Sequence, residues 1–187
     1  MGQMLVFLDF EASSLARHSY PIEVAWVFED GSSESHLIRP APQWEDWDPS
    51  AEAIHHIPRD TLLREGMPHD ELARRMVAEL SAHDLTASAP SWDGKWLSAL
   101  LRAAGLPRHS LRLRDTENAQ RDTARRILRG RVAPDLLEAE VERIRLEALA
   151  ARHEEAAAHR ALADAQQERD RWLAVRALAQ QYRGAQP

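Results

Sequence analysis

The clearest apolar run in the chain is also its first. Met4, Leu5, Val6, Phe7 and Leu8 are followed by Asp9, Phe10 and Glu11. A short, continuous run of this kind predicts a strand buried on both faces. Residues two apart in a strand point to the same side, so Asp9 and Glu11 share one face at its end. Ala12, Ser13, Ser14 and Leu15 then read as a loop. Residues 21–28 form a second apolar stretch, and Asp30-Gly31 turns it into a third at residues 35–38. These three strands predict an antiparallel meander.

Residues 39–68 read as irregular, broken by Pro40, Pro42, Pro49, Pro58 and Pro68. Trp44 and Trp47 are expected to pin that stretch to the core. Beyond it, Leu72, Met76, Val77 and Leu80 recur at helical spacing and predict a helix over 70–82. An extended segment over 86–92 leads to Asp93. From there Trp96, Leu97, Leu100 and Leu101 mark a helix that stops at Gly105. A short strand at 111–113 precedes Asp115, Thr116 and a helix ending near Gly130. Strands alternating with helices imply parallel crossovers beside the meander.

Residues 135–183 contain neither glycine nor proline. A single helix there would be roughly 70 Å long at about 1.5 Å per residue, too long for a compact domain of this size. Its apolar positions keep no sustained heptad, so a coiled coil is not expected. Two helices with a break between Ala150 and Arg160 are.

Composition narrows the class. The 187 residues suit a single domain, 1–187, with a sizeable core. No stretch is apolar for long enough to cross a membrane, and no signal peptide is expected. The absence of cysteine excludes disulfides, thiolate zinc sites and cysteine nucleophiles, and fits a cytoplasmic protein. A net charge of −6 does not favour non-specific binding to nucleic acid, unless acids gather at one site and arginines elsewhere. Lys95 is the only lysine, so the positive charge is nearly all arginine.

That distinction matters because a buried carboxylate pair is costly, and a divalent cation between Asp9 and Glu11 would relieve it. Asp-x-Glu alone fits equally well a strand that simply leaves the core. Two further acids join the pair: Asp93, where an extended segment meets a helix, and Asp164, near the start of the last helix. His159 precedes Asp164 by five residues. On a regular helix the two would point about 140° apart. Both can face one site only if His159 lies at or before the helix start.

With these motifs the sequence resembles the DEDDh exonucleases, the family of ribonuclease T, oligoribonuclease and the proofreading subunit of bacterial DNA polymerase. Phe7-Leu8-Asp9-Phe10-Glu11, Trp92-Asp93 and His159-xxxx-Asp164 appear in the family's order along nearly the whole chain. The resemblance implies an α/β, ribonuclease-H-like fold: a mixed five-stranded sheet, three strands antiparallel and two parallel, with helices on both faces. It implies 3′-to-5′ hydrolysis of single-stranded nucleic acid from a free 3′ end, releasing nucleoside 5′-monophosphates. It implies that Asp9, Glu11, Asp93 and Asp164 hold two divalent metal ions, with His159 as general base. It also allows a homodimer. Hard oxygen ligands without thiols independently favour Mg²⁺ or Mn²⁺ over zinc.

The chain departs from the family pattern in places. Ser13-Ser14-Leu15 stand where Thr-Gly-Leu is common, and His55-His56-Ile57 where His-Gly-Ile is common. By position, Ala12, Ser13, Ser14 and Leu15 on one loop and His56 and Ile57 on another are the expected substrate-binding residues. Leu15 and Ile57 should pack on the last base, and His56 should narrow the pocket. The asparagine common before the second motif is missing, with Ser88 and Ala89 in that area.

Other candidates are weaker. His55-His56 lacks a second ligand pair for zinc. No Gly-x-Ser-x-Gly elbow activates Ser13 or Ser14. Trp26, Trp92 and Trp96 read as core rather than as base-stacking platforms. Arg112, Arg114, Arg121, Arg125, Arg126, Arg129 and Arg131 could track phosphates or form a solvated face offset by Asp115, Glu117 and Asp122. Two alternatives to the exonuclease are a catalytically silent binding or interaction module with the same fold, and a phosphohydrolase of small nucleotides.

Overall fold

The structure, a computed structural model, describes residues 2–150 and 159–183. Strands β1 (Leu5–Ala12), β2 (Pro21–Phe28) and β3 (Ser33–Arg39) form the antiparallel meander. Two short helices follow, α1 (Pro49–His55) and α2 (Arg59–Glu65), then β4 (Met67–Pro68) and α3 (His69–Leu80). Next come β5 (Asp84–Ala87), α4 (Pro90–Ala103), β6 (Leu113–Asp115) and α5 (Thr116–Leu128). The chain closes with α6 (Leu137–Ala150) and α7 (Ala161–Gln181). The sheet runs β4-β3-β2-β1-β5-β6, with β5 parallel to β1 and β6 parallel to β5.

Side-chain alternation along β1 divides the protein into layers. Val6, Leu8 and Phe10 face one way and join a core with Leu72, Met76 and Leu80 of α3 and Leu97 and Leu101 of α4. Leu5 and Phe7 face the other way, onto Ala119 of α5 and Trp172 of α7. The Phe7 and Trp172 rings lie 5.8 Å apart. Helix α6 sits outside this second layer, with Val141, Ile144 and Ala148 packed with Ala124, Leu128 and Val175. Asp9 and Glu11 therefore continue the row of Leu5 and Phe7, on the α7 side of the sheet.

The sheet has six strands where five were expected. The addition is the two-residue β4, which pairs parallel with the end of β3. Gly66 makes that approach possible, because a Cβ there would lie 2.5 Å from the Arg39 nitrogen and from the Leu62 oxygen. Residues 39–68 are also less irregular than expected. Pro49 opens α1 behind the Asp48 cap, and Pro58 is the N-cap of α2. Proline is tolerated at these starts because their N–H groups need no helical partner. Trp44 and Trp47 do pin the stretch: Trp44 stacks on Tyr20 at 5.1 Å, and the Trp47 indole donates to Glu52 at 2.8 Å.

The extended segment expected over 86–92 ends early. Strand β5 stops at Ala87 and α4 begins at Pro90, so Asp93 lies in the first helical turn instead of at the junction. The last strand is Leu113–Asp115, slightly later than expected. The two C-terminal helices stop and start on either side of the expected break. Residues 151–158 of that break lie outside the described residues.

Candidate active site

Helix α7 runs back along β1 and completes the row of side chains on that face. Asp164, Glu168 and Trp172 are spaced four apart, so they share one face of the helix. Trp172 meets Phe7, and Asp164 meets the acidic end of β1. Carboxylate oxygens of Asp9, Glu11 and Asp164 lie within 4.8 Å of one another. Asp93 enters from the first turn of α4. It is 2 % exposed, and its Oδ2 has no hydrogen-bond partner.

The electrostatics express this crowding. Burial, then the charges of Asp93, Glu11 and Asp164, push the Asp9 carboxyl well above its ordinary range. Glu11 is pushed up to about 8 by burial and by Asp164 and Glu23, with the Arg160 guanidinium offsetting part of the rise. Burial lifts Asp93 to about 7, against backbone amide groups at Ala89 and Phe10. Such shifts belong to buried carboxylates gathered with too little countercharge. An all-oxygen cluster with an orphaned buried oxygen is the donor set of a hard divalent cation, and the residues fit one.

His159 stands at the entry to α7, two residues before its first turn, as the spacing to Asp164 requires. It is exposed and has a left-handed backbone, with φ 47°.

The loop after β1 is braced from two sides. The Ser13 and Ser14 hydroxyls donate to Asp46 Oδ2 at 2.9 and 2.6 Å. Lys95 Nζ donates to the Ala16 carbonyl at 2.6 Å and to Ser19 Oγ at 2.9 Å. Leu15 is left 71 % exposed at its tip, while Ala12 is buried at the strand end. Leu15, Arg17, Ser91, Trp92 and Lys95 line an open cavity of about 610 Å³.

Trp92 departs from expectation. Trp26 and Trp96 are core, but Trp92 is 39 % exposed and carries the Lys95 ammonium 4.9 Å from its ring centre. Successive helical residues are about 100° apart, so turning Asp93 inward turns Trp92 out.

The second substrate loop is divided. Ile57 is 4 % exposed and packs with Tyr20, Ile22 and Leu62. His56 is exposed and caps α1 in a left-handed conformation. His55 is buried, and its Nδ1 accepts from the Ile57 amide at 3.0 Å. Of the basic stretch, Arg114 binds Asp84 and Asp122. Arg121 binds Glu117 and Glu142, and Arg125 binds Asp122 and Glu138. Arg131 caps carbonyls at the end of α7. These four are structural.

Three residues at the site escape motif reading. Glu168 lies one turn beyond Asp164 and raises the charge burden on Asp9, while pairing with Arg171. Its spacing from Asp164 was a usable signal. Glu23 carried none, because only the register of β1 with β2 brings it to the site; Arg160 follows His159 in sequence, but its partner Glu23 is not visible there.

No protein-family model matches the chain, and no curated protein matches it. Among solved structures, the chain is similar to a zinc-bound complex of E. coli exonuclease I with single-stranded DNA. Identity is 18 %, with a TM-score of 0.63, over 96 % of this chain and 40 % of that one. It is similar to E. coli exonuclease I with a dT13 oligonucleotide at 15 % identity and a TM-score of 0.54, over 64 % of this chain and 29 % of that one. A moderately thermophilic exonuclease I from Methylocaldum szegediense matches at 16 % identity and a TM-score of 0.55, over 65 % of this chain and 29 % of that one. The matched region thus spans less than half the length of each neighbour. The likeness shows the fold, which is the mixed α/β, ribonuclease-H-like one.

Proposed function

We propose that the protein is a metal-dependent 3′-to-5′ exonuclease of single-stranded nucleic acid that releases nucleoside 5′-monophosphates. The observation that carries this reading is the convergence of Asp9, Glu11 and Asp164 within 4.8 Å, beside the buried Asp93. The fold shared with exonuclease I supports it.

In this reading Asp9, Glu11, Asp93 and Asp164 hold two divalent ions, Mg²⁺ or Mn²⁺. Such ions, when bound, supply Lewis acidity at the scissile phosphate and neutralise developing charge. The protein supplies the rest. The four acids are placed by three rigid elements, β1, α4 and α7. His159 takes the proton of the attacking water. Leu15 and Trp92 flank the terminal nucleotide, and Lys95 holds the Leu15 loop in place. Ser13 and Ser14 shape that loop through Asp46 and do not act as nucleophiles. On the second loop His56 is exposed and able to meet substrate, while the buried Ile57 supports that loop from the core.

No helix among the described residues is long and apolar enough to cross a membrane. A cytoplasmic protein that works as a monomer or homodimer is consistent with this reading.

Purified protein incubated with Mg²⁺ or Mn²⁺ and 5′-labelled DNA and RNA oligonucleotides tests it. A ladder shortening from the 3′ end is expected. Retarded but uncut strand would point instead to a silent binding module. Hydrolysis of only mono- or dinucleotides would point to a small-nucleotide phosphohydrolase.

A further inference from the structure

Glu23 lies on β2, directly opposite Glu11 in register, and is 2 % exposed. A buried carboxylate facing another acid across a strand pair is unfavourable by itself. Among the described residues, the hydrogen bonds to the Glu23 carboxylate come from Arg160 and Ala161, at the entry to α7. Arg160 Nε donates to both carboxylate oxygens, at 3.2 and 3.1 Å, and Arg160 Nη2 donates to Oε1 at 2.7 Å. The Ala161 amide donates to Oε2 at 3.1 Å.

Helix α7 has no side-chain cap of its own, because its N-cap residue is Arg160. Glu23 does that work from a neighbouring strand, with a negative charge at the positive end of the helix. The residue before Arg160 is His159, whose left-handed backbone persists only where its surroundings impose it.

We propose that Glu23 and Arg160 are positioning residues: together they fix the backbone entering α7 so that His159 is aimed at the acidic site. The inference rests on the exonuclease reading for its kinetic consequence, but its geometry does not depend on it. Stability alone does not account for the pair. Arg160 answers the charge of a Glu23 that is 2 % exposed, but any cation in its place would do the same. Precision explains it better, since a bidentate guanidinium fixes orientation as well as distance.

The test uses Arg160→Gln and Arg160→Lys, with Glu23→Gln as a second route, each in the wild-type and His159→Ala backgrounds. Thermal unfolding checks that every variant is folded. Arg160→Gln is expected to lower kcat by roughly 10–10²-fold, as misplacement of a reacting group does. KM should stay near wild type, while Tm falls because the buried Glu23 charge loses its arginine; Glu23→Gln, which removes that charge, should hold Tm better. Arg160→Lys should recover part of the rate, having charge but no fork. In the His159→Ala background, Arg160→Gln should cost little more, because residues acting as a unit are not additive.

Amide hydrogen exchange at Ala161, which donates to Glu23, supplies a readout without metal or substrate, and should accelerate in Arg160→Gln and Glu23→Gln. A full kcat in Arg160→Gln overturns the proposal, as does an equal loss in both backgrounds. If the wild-type protein cuts no strand, the exonuclease reading falls. Unchanged exchange at Ala161 then separately shows that Glu23 does not anchor the loop.

Discussion

Glu11 and Glu23 face each other across β1 and β2, but only Glu23 has its charge answered by a hydrogen-bonded arginine and a helix amide. Glu11 is left at about 8 with three acids near it. One member of the cross-strand pair is thus built into the scaffold. The other remains available to a cation.

Removing an acid should separate activity from stability. Asp9→Asn and Asp164→Asn are expected to abolish oligonucleotide hydrolysis in Mg²⁺. Each also relieves like-charge repulsion, so Tm in EDTA should hold or rise. Near-normal turnover by either variant would show that the carboxylates do not hold the metal.

The metal-free protein should lose stability as pH rises from about 6.5 to 8. Glu11 moves from 4.5 to about 8, and Asp93 from 3.8 to about 7. In that window the folded state retains protons that the unfolded chain has released, so each unit of pH disfavours folding. His55, held down by burial, acts with the opposite sign but only below its ordinary 6.5. Carboxylates paired with arginine, such as Glu142 at about 2, lose their contribution only in more acid solution. Tm measured in EDTA should therefore decline over this range, less steeply in Glu11→Gln. A flat or rising profile would contradict the electrostatics of the cluster.

Metal uptake should release protons. Near neutral pH, with Glu11 pushed up to about 8 and Asp93 to about 7, both retain protons without a cation, Glu11 more than Asp93, and ligation requires the carboxylate form. Calorimetric titration with Mn²⁺ in buffers of different ionisation enthalpy should give heats that scale with the buffer. Heats independent of buffer would mean that the acids are already ionised.

His159→Ala should reduce kcat by about 10²–10⁴-fold, the usual worth of a positioned histidine base. Mn²⁺ affinity should survive, because all four acids remain. A variant with full rate would reduce His159 to a surface residue at the entry of α7.

Leu15→Ala tests the braced loop. Leu15 is 71 % exposed, so the change should leave Tm within a degree or so, as surface substitutions do. Binding of a free 3′ end should weaken more than binding of a 3′-blocked strand, and fluorescence anisotropy of the two reads the difference. Equal weakening would mean that Leu15 does not contact the terminal nucleotide.

The parts of this architecture visible in the sequence are those with a local cause. The apolar run of β1 and the alternation of Asp9 with Glu11 are local, and so is the Asp30-Gly31 turn. The length argument that split residues 135–183 needs only the rise of a helix, and it placed His159 correctly outside α7. What stayed hidden depends on tertiary pairing. Pro49 and Pro58 read as breaks because proline both stops and starts helices, and only the cap geometry decides which. Trp92 read as core because its side is set by the direction in which Asp93 faces. Strand β4 is two residues long and exists only because Gly66 lets the backbone approach β3. Glu23 pairs with Arg160 across 137 positions of sequence, beyond the reach of any local pattern.

The order of the elements has a temporal side. Asp9 and Glu11 are synthesised about 150 residues before Arg160 and Asp164, which arrive with α7. A chain that stops before residue 159 has neither Asp164 nor His159, whatever the state of its sheet. On the exonuclease reading, competence to cut would therefore appear only when α7 docks, and an incomplete copy would pose no hazard to the nucleic acid around it.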